Sequence, residues 1–368
     1  MNKVFVTKSS ITPFDEYVNE IKNIWETCWM TNMGEKHNLL ERQLEEFLNV
    51  KNVSLCVNGH SALEICIEAM NLKGEIITTP FTFISTTNSI IRMGCTPVFC
   101  DINPITYTID VNKIEDLITD KTVAIMPVHV YGNICDVEEI DRIAKKHNLK
   151  VIYDAAHTFA EKYKGRGITT YGDASILSFH ATKVFNTIEG GAICSDDNKL
   201  KDTIRVLRDF GINEGDDIEL VGTNSKMNEF AASMGLCNLR HIDEELAKRK
   251  IAYEKYNDNL KDMKGITLPP HQLGLVRNYA YYPVVINTNI YGRDRNELFE
   301  ELKKNNIFAR KYFYPLTNKP VCINSRFNPG YTPIAEEISN SVLTLPMYAD
   351  LDIETVDFIC DIIKGFKK

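Results

Sequence analysis

The stretch Val53-Ser54-Leu55-Cys56-Val57-Asn58-Gly59-His60-Ser61 decides how this chain is read. Its first five residues form a short β-prone apolar run, and the next four form a Gly-bearing polar turn. Ala62 to Met70 then follows a helical period. The same unit recurs outward. Glu75 to Thr79 reads as a strand, Pro80 breaks it, and Ser85 to Met93 reads as a helix. Thr96 to Cys100 is a strand running into Asp101, Thr122 to Val128 another, and Val137 to His147 an amphipathic helix. Lys150 to Tyr153 is a strand ending in Asp154, and Ala174 to Ser178 and Gly191 to Cys194 add two more. Short apolar strands alternating with helices predict an α/β fold whose large, mostly parallel sheet is covered on both faces.

The flanks differ from this centre. Phe14 to Phe47 reads as helical, with apolar residues at Tyr17, Ile21, Ile24 and Trp25 and again at Leu40, Leu44, Phe47 and Leu48. Thr31-Asn32-Met33-Gly34 interrupts that period. Downstream, residues 198–210 and 226–256 read as helices. Beyond 265 come a strand at Tyr279 to Ile286, a helix at Asp294 to Asn305 and a closing helix at 353–365. The expected organisation is a large α/β domain over 1–240, with an N-terminal helical segment, and a small α+β domain over 241–368.

Composition narrows the classes. Hydrophobic residues at 44% and charged residues at 25% over 368 positions exclude a disordered, collagen-like or coiled-coil chain. Lys and Arg number 42 against 50 Asp and Glu, a net charge of −8, which argues against a nucleic-acid partner. The 10 Cys contain no C-x-x-C pair, so reduced, packed thiols are expected, with no metal site. The polar N-terminus does not resemble a signal peptide, and no apolar run approaches the roughly 18 residues of a membrane span. A cytoplasmic protein without a membrane partner is expected.

Chemistry in open parallel sheets gathers at the C-terminal ends of strands. Asn58-Gly59-His60-Ser61 follows one strand and opens a helix, where free amides suit a phosphate; a plain strand-to-helix turn has the same sequence. Asp154 ends another strand as either a ligand for a protonated ring nitrogen or an N-cap, and His157 follows it. Lys183 lies just past the strand ending at Ser178, in a stretch with few other charges. Burial there would turn its ammonium into a nucleophile or base, whereas a snorkelling surface lysine is the plain alternative. Joint order carries more than any one piece. A phosphate-type turn, the aromatic Phe83, a strand-end Asp and a later Lys are the four things that pyridoxal 5′-phosphate (PLP) requires.

The chain resembles the DegT/DnrJ/EryC1/StrS family of sugar aminotransferases, PLP enzymes of the aspartate-aminotransferase-like fold type I. The likeness rests on Pro80-Phe-Thr-Phe-Ile-Ser-Thr-Thr-Asn88, Pro127-Val-His-Val-Tyr-Gly-Asn133, Asp154-Ala-Ala-His157 and Gly172-Asp-Ala-Ser175. It continues through Ser178-Phe-His-Ala-Thr-Lys183, Glu189-Gly-Gly191, Gly222-Thr-Asn-Ser-Lys-Met-Asn228 and Arg310-Lys-Tyr-Phe-Tyr-Pro-Leu316. The resemblance implies roles for matching positions. Lys183 corresponds to the Schiff-base lysine, Asp154 to the carboxylate on the pyridine nitrogen, and His157 to the polar residue near the ring hydroxyl. Phe83 corresponds to the stacking aromatic, and Gly59, His60 and Ser178 to the phosphate cup. Asn224 corresponds to a residue reaching the phosphate from a neighbouring subunit, which implies a homodimer with shared active sites. His60 stands where many members have Thr or Ser, and Lys226 where many have Arg.

Retention of Lys183 favours transamination over the dehydration that histidine-bearing relatives perform. The run from Phe179 to Gly191, with His180 in it, is similar to that of enzymes aminating C4 of a dTDP-linked 4-keto-6-deoxyglucose for surface (O-antigen) glycans, with L-glutamate as amino donor. A UDP-linked 4-keto sugar, a C3-keto sugar and a dehydratase reaction are the alternatives. Thr31, Asn32, His180, Arg310, Tyr312 and Tyr314 are the expected contacts to the nucleotide-linked keto sugar.

Overall fold

In the computed structural model, which describes residues 3–368, a short strand β1 (Val4–Phe5) leads into two helices, α1 (Phe14–Thr27) and α2 (Glu35–Leu48). The turn between them covers the predicted break at 31–34. Alternation then supplies β2 (Asn52–Cys56), α3 (Gly59–Ala69), β3 (Glu75–Thr78), α4 (Ile84–Arg92) and β4 (Thr96–Phe99). It continues with β5 (Thr122–Ile125), α5 (Val137–His147) and β6 (Lys150–Asp154). A small hairpin, β7 (Lys162–Tyr163) and β8 (Arg166–Gly167), precedes β9 (Ala174–Ser178), β10 (Gly191–Ser195) and α6 (Asn198–Leu207). The main sheet has seven strands in the order β2-β10-β9-β6-β5-β3-β4. Only β10 runs antiparallel to its neighbours, so the mostly parallel sheet is the one expected.

Its strands are apolar on both faces because helices cover both. Ile76, Ile77, Ile125, Ile152 and Ile176 are all buried, each contributing about 1.5–3 kcal/mol of burial. Helix α5 starts where the Asp136 side chain accepts from the Glu139 amide, and it ends at Asn148, which takes the left-handed conformation.

Beyond residue 228 the chain departs first from the expected helix pattern. A single helix over 226–256 was expected; the structure has α7 (Glu229–Arg240) and α8 (Ile242–Leu260), meeting at His241. Asn228 caps α7 by accepting from Ala231 N, which fixes its start. The His241 ring reaches Glu16 on α1 at 2.6 Å. Apolar residues continue the helical period through the joint, so a one-residue break leaves no trace in periodicity.

A second, antiparallel sheet follows, formed by β11 (Ile266–Thr267), β13 (Tyr282–Ile286) and β15 (Val342–Leu345). Between the first two, β12 (Leu275–Val276) joins the β7–β8 hairpin. Strand β14 (Ile307–Phe308) pairs in parallel with β1, so Val4 packs with the C-terminal core rather than with the main sheet. Strand β13 begins three positions later than Tyr279, because Asn278 folds back to accept from Ala280 N at 3.0 Å and Tyr279 takes φ 55°. All ten cysteines are free, and among the described residues no helix is long and apolar enough to cross a membrane.

Candidate active site

Open parallel sheets gather candidate site residues at the C-terminal ends of their strands. Strand β6 ends in Asp154, β9 ends in Ser178, and β2 passes through Asn58 into α3. Lys183 follows β9 on a short loop and is half-buried. Its Nζ donates to the Tyr281 hydroxyl at 3.2 Å. Burial holds the Lys183 ammonium below the ordinary lysine range; Tyr312 and Asp154 oppose that fall, and Arg310 adds to it.

Asp154 is buried, with Oδ2 accepting from Thr86 Oγ1 at 2.7 Å and Oδ1 from the Ala156 amide at 3.2 Å. Burial raises its pKa, against the hydrogen bonds from Thr86 and Ala156 and the charge of Lys183. A buried carboxylate with no cation in direct contact is costly by itself. A cationic ring nitrogen would relieve it.

His157 is also buried. Its Nδ1 accepts from the Tyr131 backbone N–H at 3.0 Å, so a neutral ring carries its proton on Nε2. Burial, assisted by Lys183, holds its pKa well below the usual value, which keeps it neutral. Tyr131 at φ 58° and Gly132 at φ 84° turn that amide toward the ring. A Cβ on Gly132 would also come within 2.6 Å of Glu161 Oε1.

Aromatic rings line the pocket. Phe313 lies parallel to His157 at 5.9 Å, and Tyr281 is 4.5 Å from the same ring. Tyr312 is 6.0 Å from Tyr281 and 6.4 Å from Phe83, which is half-exposed. The Arg310 guanidinium lies over Tyr312 at 4.6 Å.

The next corner is built for a close backbone approach. Gly59 opens α3, and a Cβ there would lie 3.0 Å from the Ser178 Cβ. A Cβ on Gly191 would lie 2.5 Å from Gly59 N. Asn58 caps the helix by accepting from Ser61 N at 2.8 Å, which leaves the Gly59 and His60 amides for an anion. The His60 ring is engaged elsewhere, with Nδ1 2.7 Å from Ser85 Oγ and Nε2 3.2 Å from Glu64, so the residue offers its backbone.

Other anticipated residues lie apart. His180 is exposed, with Nδ1 2.8 Å from Thr182 Oγ1 and Nε2 3.6 Å from Glu189. Tyr314 is exposed and stacks under Arg295 at 5.0 Å. Thr31 and Asn32 sit on the exposed turn between α1 and α2, which is tied to α7 by Glu229 N donating to Met30 O. Asn224 is exposed and bridges Asp209 through its backbone. Lys226 is buried against Asp209 and Phe210, where a bidentate fork is not required. Neither Thr86 nor Tyr281 carries a mark of its role in the sequence. Thr86 lay inside a quoted motif; only the tertiary pairing with Asp154 singles it out.

A phosphate corner, a buried carboxylate, a neutral ring N–H and a low-pKa amine suit an aldehyde-bearing, phosphorylated pyridine. Residues 14–364 match the pattern of the DegT/DnrJ/EryC1/StrS aminotransferase family. The chain belongs to that family. It is 42% identical over 367 residues to dTDP-4-amino-4,6-dideoxy-D-glucose transaminase of Shigella dysenteriae, covering 99% of both chains. The DesI protein, crystallised in the presence of its TDP-sugar product, superposes with a TM-score of 0.95 at 28% identity, over 99% of this chain and 93% of that one. A proposed sugar aminotransferase of Streptococcus pneumoniae, in its PLP form, superposes with a TM-score of 0.91 at 25% identity, over 99% and 98%. Like these proteins, this family member has an α/β fold.

Proposed function

We propose that this DegT/DnrJ/EryC1/StrS aminotransferase uses PLP to move the amino group of L-glutamate to C4 of dTDP-4-keto-6-deoxy-D-glucose, giving dTDP-4-amino-4,6-dideoxy-D-glucose. The observation that carries the substrate is the 42% identity to the dTDP-sugar transaminase over 99% of each chain. The amino sugar would serve a surface glycan such as O-antigen, and the enzyme would act in the cytoplasm.

In this reading Lys183 would hold the cofactor, Asp154 would keep its ring nitrogen protonated, and His157 would offer its Nε2–H to the cofactor. The amides of Gly59 and His60, with Ser178, take the phosphate. Phe83 would supply an aromatic surface for the cofactor. When bound, PLP supplies an electron sink for the pair left behind as a proton departs from the carbon bearing the nitrogen. Lys183, whose ammonium burial holds below the ordinary lysine range, would move that proton, and the same amine would serve both half-reactions. The aromatic walls restrict water around it.

A homodimer with shared sites belongs to the same proposal. Asn224, Thr31 and Asn32 are exposed within one chain. Exposed Trp25 and Trp29 beside the α1–α2 turn, with exposed Phe14 at the other end of α1, supply apolar surface for a partner copy. Arg310, stacked on Tyr312 near the Lys183 amine, suits an anionic part of the substrate.

The test is mass spectrometry of products from a panel of dTDP- and UDP-linked 4-keto and 3-keto sugars, with glutamate as donor. The expected result is amination of the dTDP-linked 4-keto-6-deoxy sugar in strong preference to the rest. Preference for a UDP-linked or 3-keto sugar would overturn the substrate assignment. Loss of the sugar hydroxyl without nitrogen gain would replace transamination by dehydration.

A further inference from the structure

Tyr281 makes the direct side-chain hydrogen bond to Lys183, at 3.2 Å, and its position is set by an unusual clasp. The clasp is Asn278, itself buried. Its Nδ2 donates to His157 O at 2.8 Å and to Phe159 O at 3.0 Å, and its backbone N–H donates to Glu161 Oε1 at 3.1 Å. Its Oδ1 accepts from Ala280 N at 3.0 Å. One side chain therefore pins the segment after β6, which carries His157, to the segment entering β13, which carries Tyr281. The groups bearing on the amine come from separate elements: Asp154, His157, Arg310 and Tyr312.

We propose that Tyr281 is the positioning residue for the Lys183 amine, its hydroxyl holding Nζ in place in both protonation states, with Asn278 fixing that hydroxyl relative to His157. The inference rests on Lys183 being the reacting amine, as argued above. The phenol is suited to this because burial raises its pKa, so it keeps its own proton. It accepts from the ammonium and donates to the lone pair of the neutral amine, and no proton changes hands between them. The bond to the ammonium is charge-assisted and is the stronger of the two. Loss of the hydroxyl therefore favours the neutral amine, yet leaves it free to swing.

Tyr281→Phe keeps the buried ring and tests this in two ways. In the full-length chain stripped of cofactor, competitive labelling with acetic anhydride across pH reads the titration of Lys183 by mass spectrometry. The titration midpoint should fall, with labelling at pH 7 rising about fivefold, while an exposed lysine such as Lys145 labels as before. In the holoenzyme, kcat should fall about tenfold with both KM values little changed, because positioning acts in the reacting step. Superimposable Lys183 titration curves would overturn the proposal, as would an undiminished kcat. Failure of the underlying functional reading shows separately, as turnover surviving in Lys183→Ala.

Discussion

Glu41 and Arg208 lie largely out of water, and so do Asp154 and Lys183, yet the two sets handle their charges in opposite ways. Arg208 Nη1 donates to Glu41 Oε1 at 2.7 Å and to Leu55 O at 2.7 Å. The same carboxylate oxygen accepts from Leu55 N at 2.9 Å and faces His37 at 3.2 Å. Burial alone would raise the Glu41 pKa, but Arg208 and His37 outweigh it and leave the carboxyl at about 2. That cluster ties α2 to β2 and is finished. In the pocket, Asp154 and Lys183 make no direct ion pair, and burial pushes both toward their neutral forms. Opposite charges in contact build structure. Opposite charges held apart at a buried site stay responsive to whatever arrives between them.

The sharpest way to break this comparison is Lys183→Ala. Turnover should fall about 10³–10⁴-fold while the melting temperature stays level or rises, since a buried amine is removed without orphaning a bonded charge. Steady-state kinetics beside thermal melting checks both halves. Substantial turnover would make the pocket a structural cluster like the other one.

Glu41→Ala should give the mirror image. It strands Arg208 without its carboxylate and should cost about 3–5 kcal/mol of stability in denaturant titrations. The sign of its pH dependence follows from the lowered pKa. The Glu41 contribution is fully present above its unfolded value of 4.5 and is lost as pH falls toward about 2, so the mutant's deficit should narrow in acid. A deficit that does not change with pH would mean that lost packing, not charge, is what the mutant reports.

Asp154→Asn sits between the two. Thr86 and the Ala156 amide can still bond an amide side chain, so the fold should hold within about 1 kcal/mol. The rate should fall about a hundredfold, because a neutral group no longer favours a protonated ring nitrogen. Unchanged kinetics would remove Asp154 from the mechanism.

The two clusters also differ in how far the sequence reveals them. The pocket residues fall at strand ends and in short ordered motifs, where position along an αβ unit already states direction. Asp154, Lys183, Gly59 and Ser178 stand out in the sequence as candidates for that reason. The Glu41–Arg208 pair was not, because it joins a helix surface to a residue far along the chain and neither neighbourhood marks it. Thr86 and Tyr281 were hidden in the same way: each matters through a partner supplied by another element. The break at His241 was invisible for a different reason, since apolar spacing runs straight through it. Strand β15 escaped notice because its pairing with β13 spans a long, irregular connection.

Glu161 offers a third buried ionisable group with which to sharpen the contrast, and the smallest expected effect. Its Oε1 accepts from Asn278 N, and its Oε2 has no partner among the described residues. Burial raises its pKa to about 8, against the opposing pull of Asn278 and Arg277. A carboxyl whose folded pKa exceeds its unfolded value contributes its full stability below the unfolded value, near 4.5. That contribution drains away as pH rises toward about 8, where the folded group at last ionises. Glu161→Gln keeps the acceptor for Asn278 and removes the titration, so it should stabilise the protein by about 2–3 kcal/mol at pH 7. The gain should be near zero below pH 4.5, grow through the neutral range and level off above about pH 8. Chemical denaturation at several pH values reads this directly. A gain independent of pH would place an ionised carboxylate in the folded protein, paired with Arg277, and would move Glu161 into the same class as Glu41.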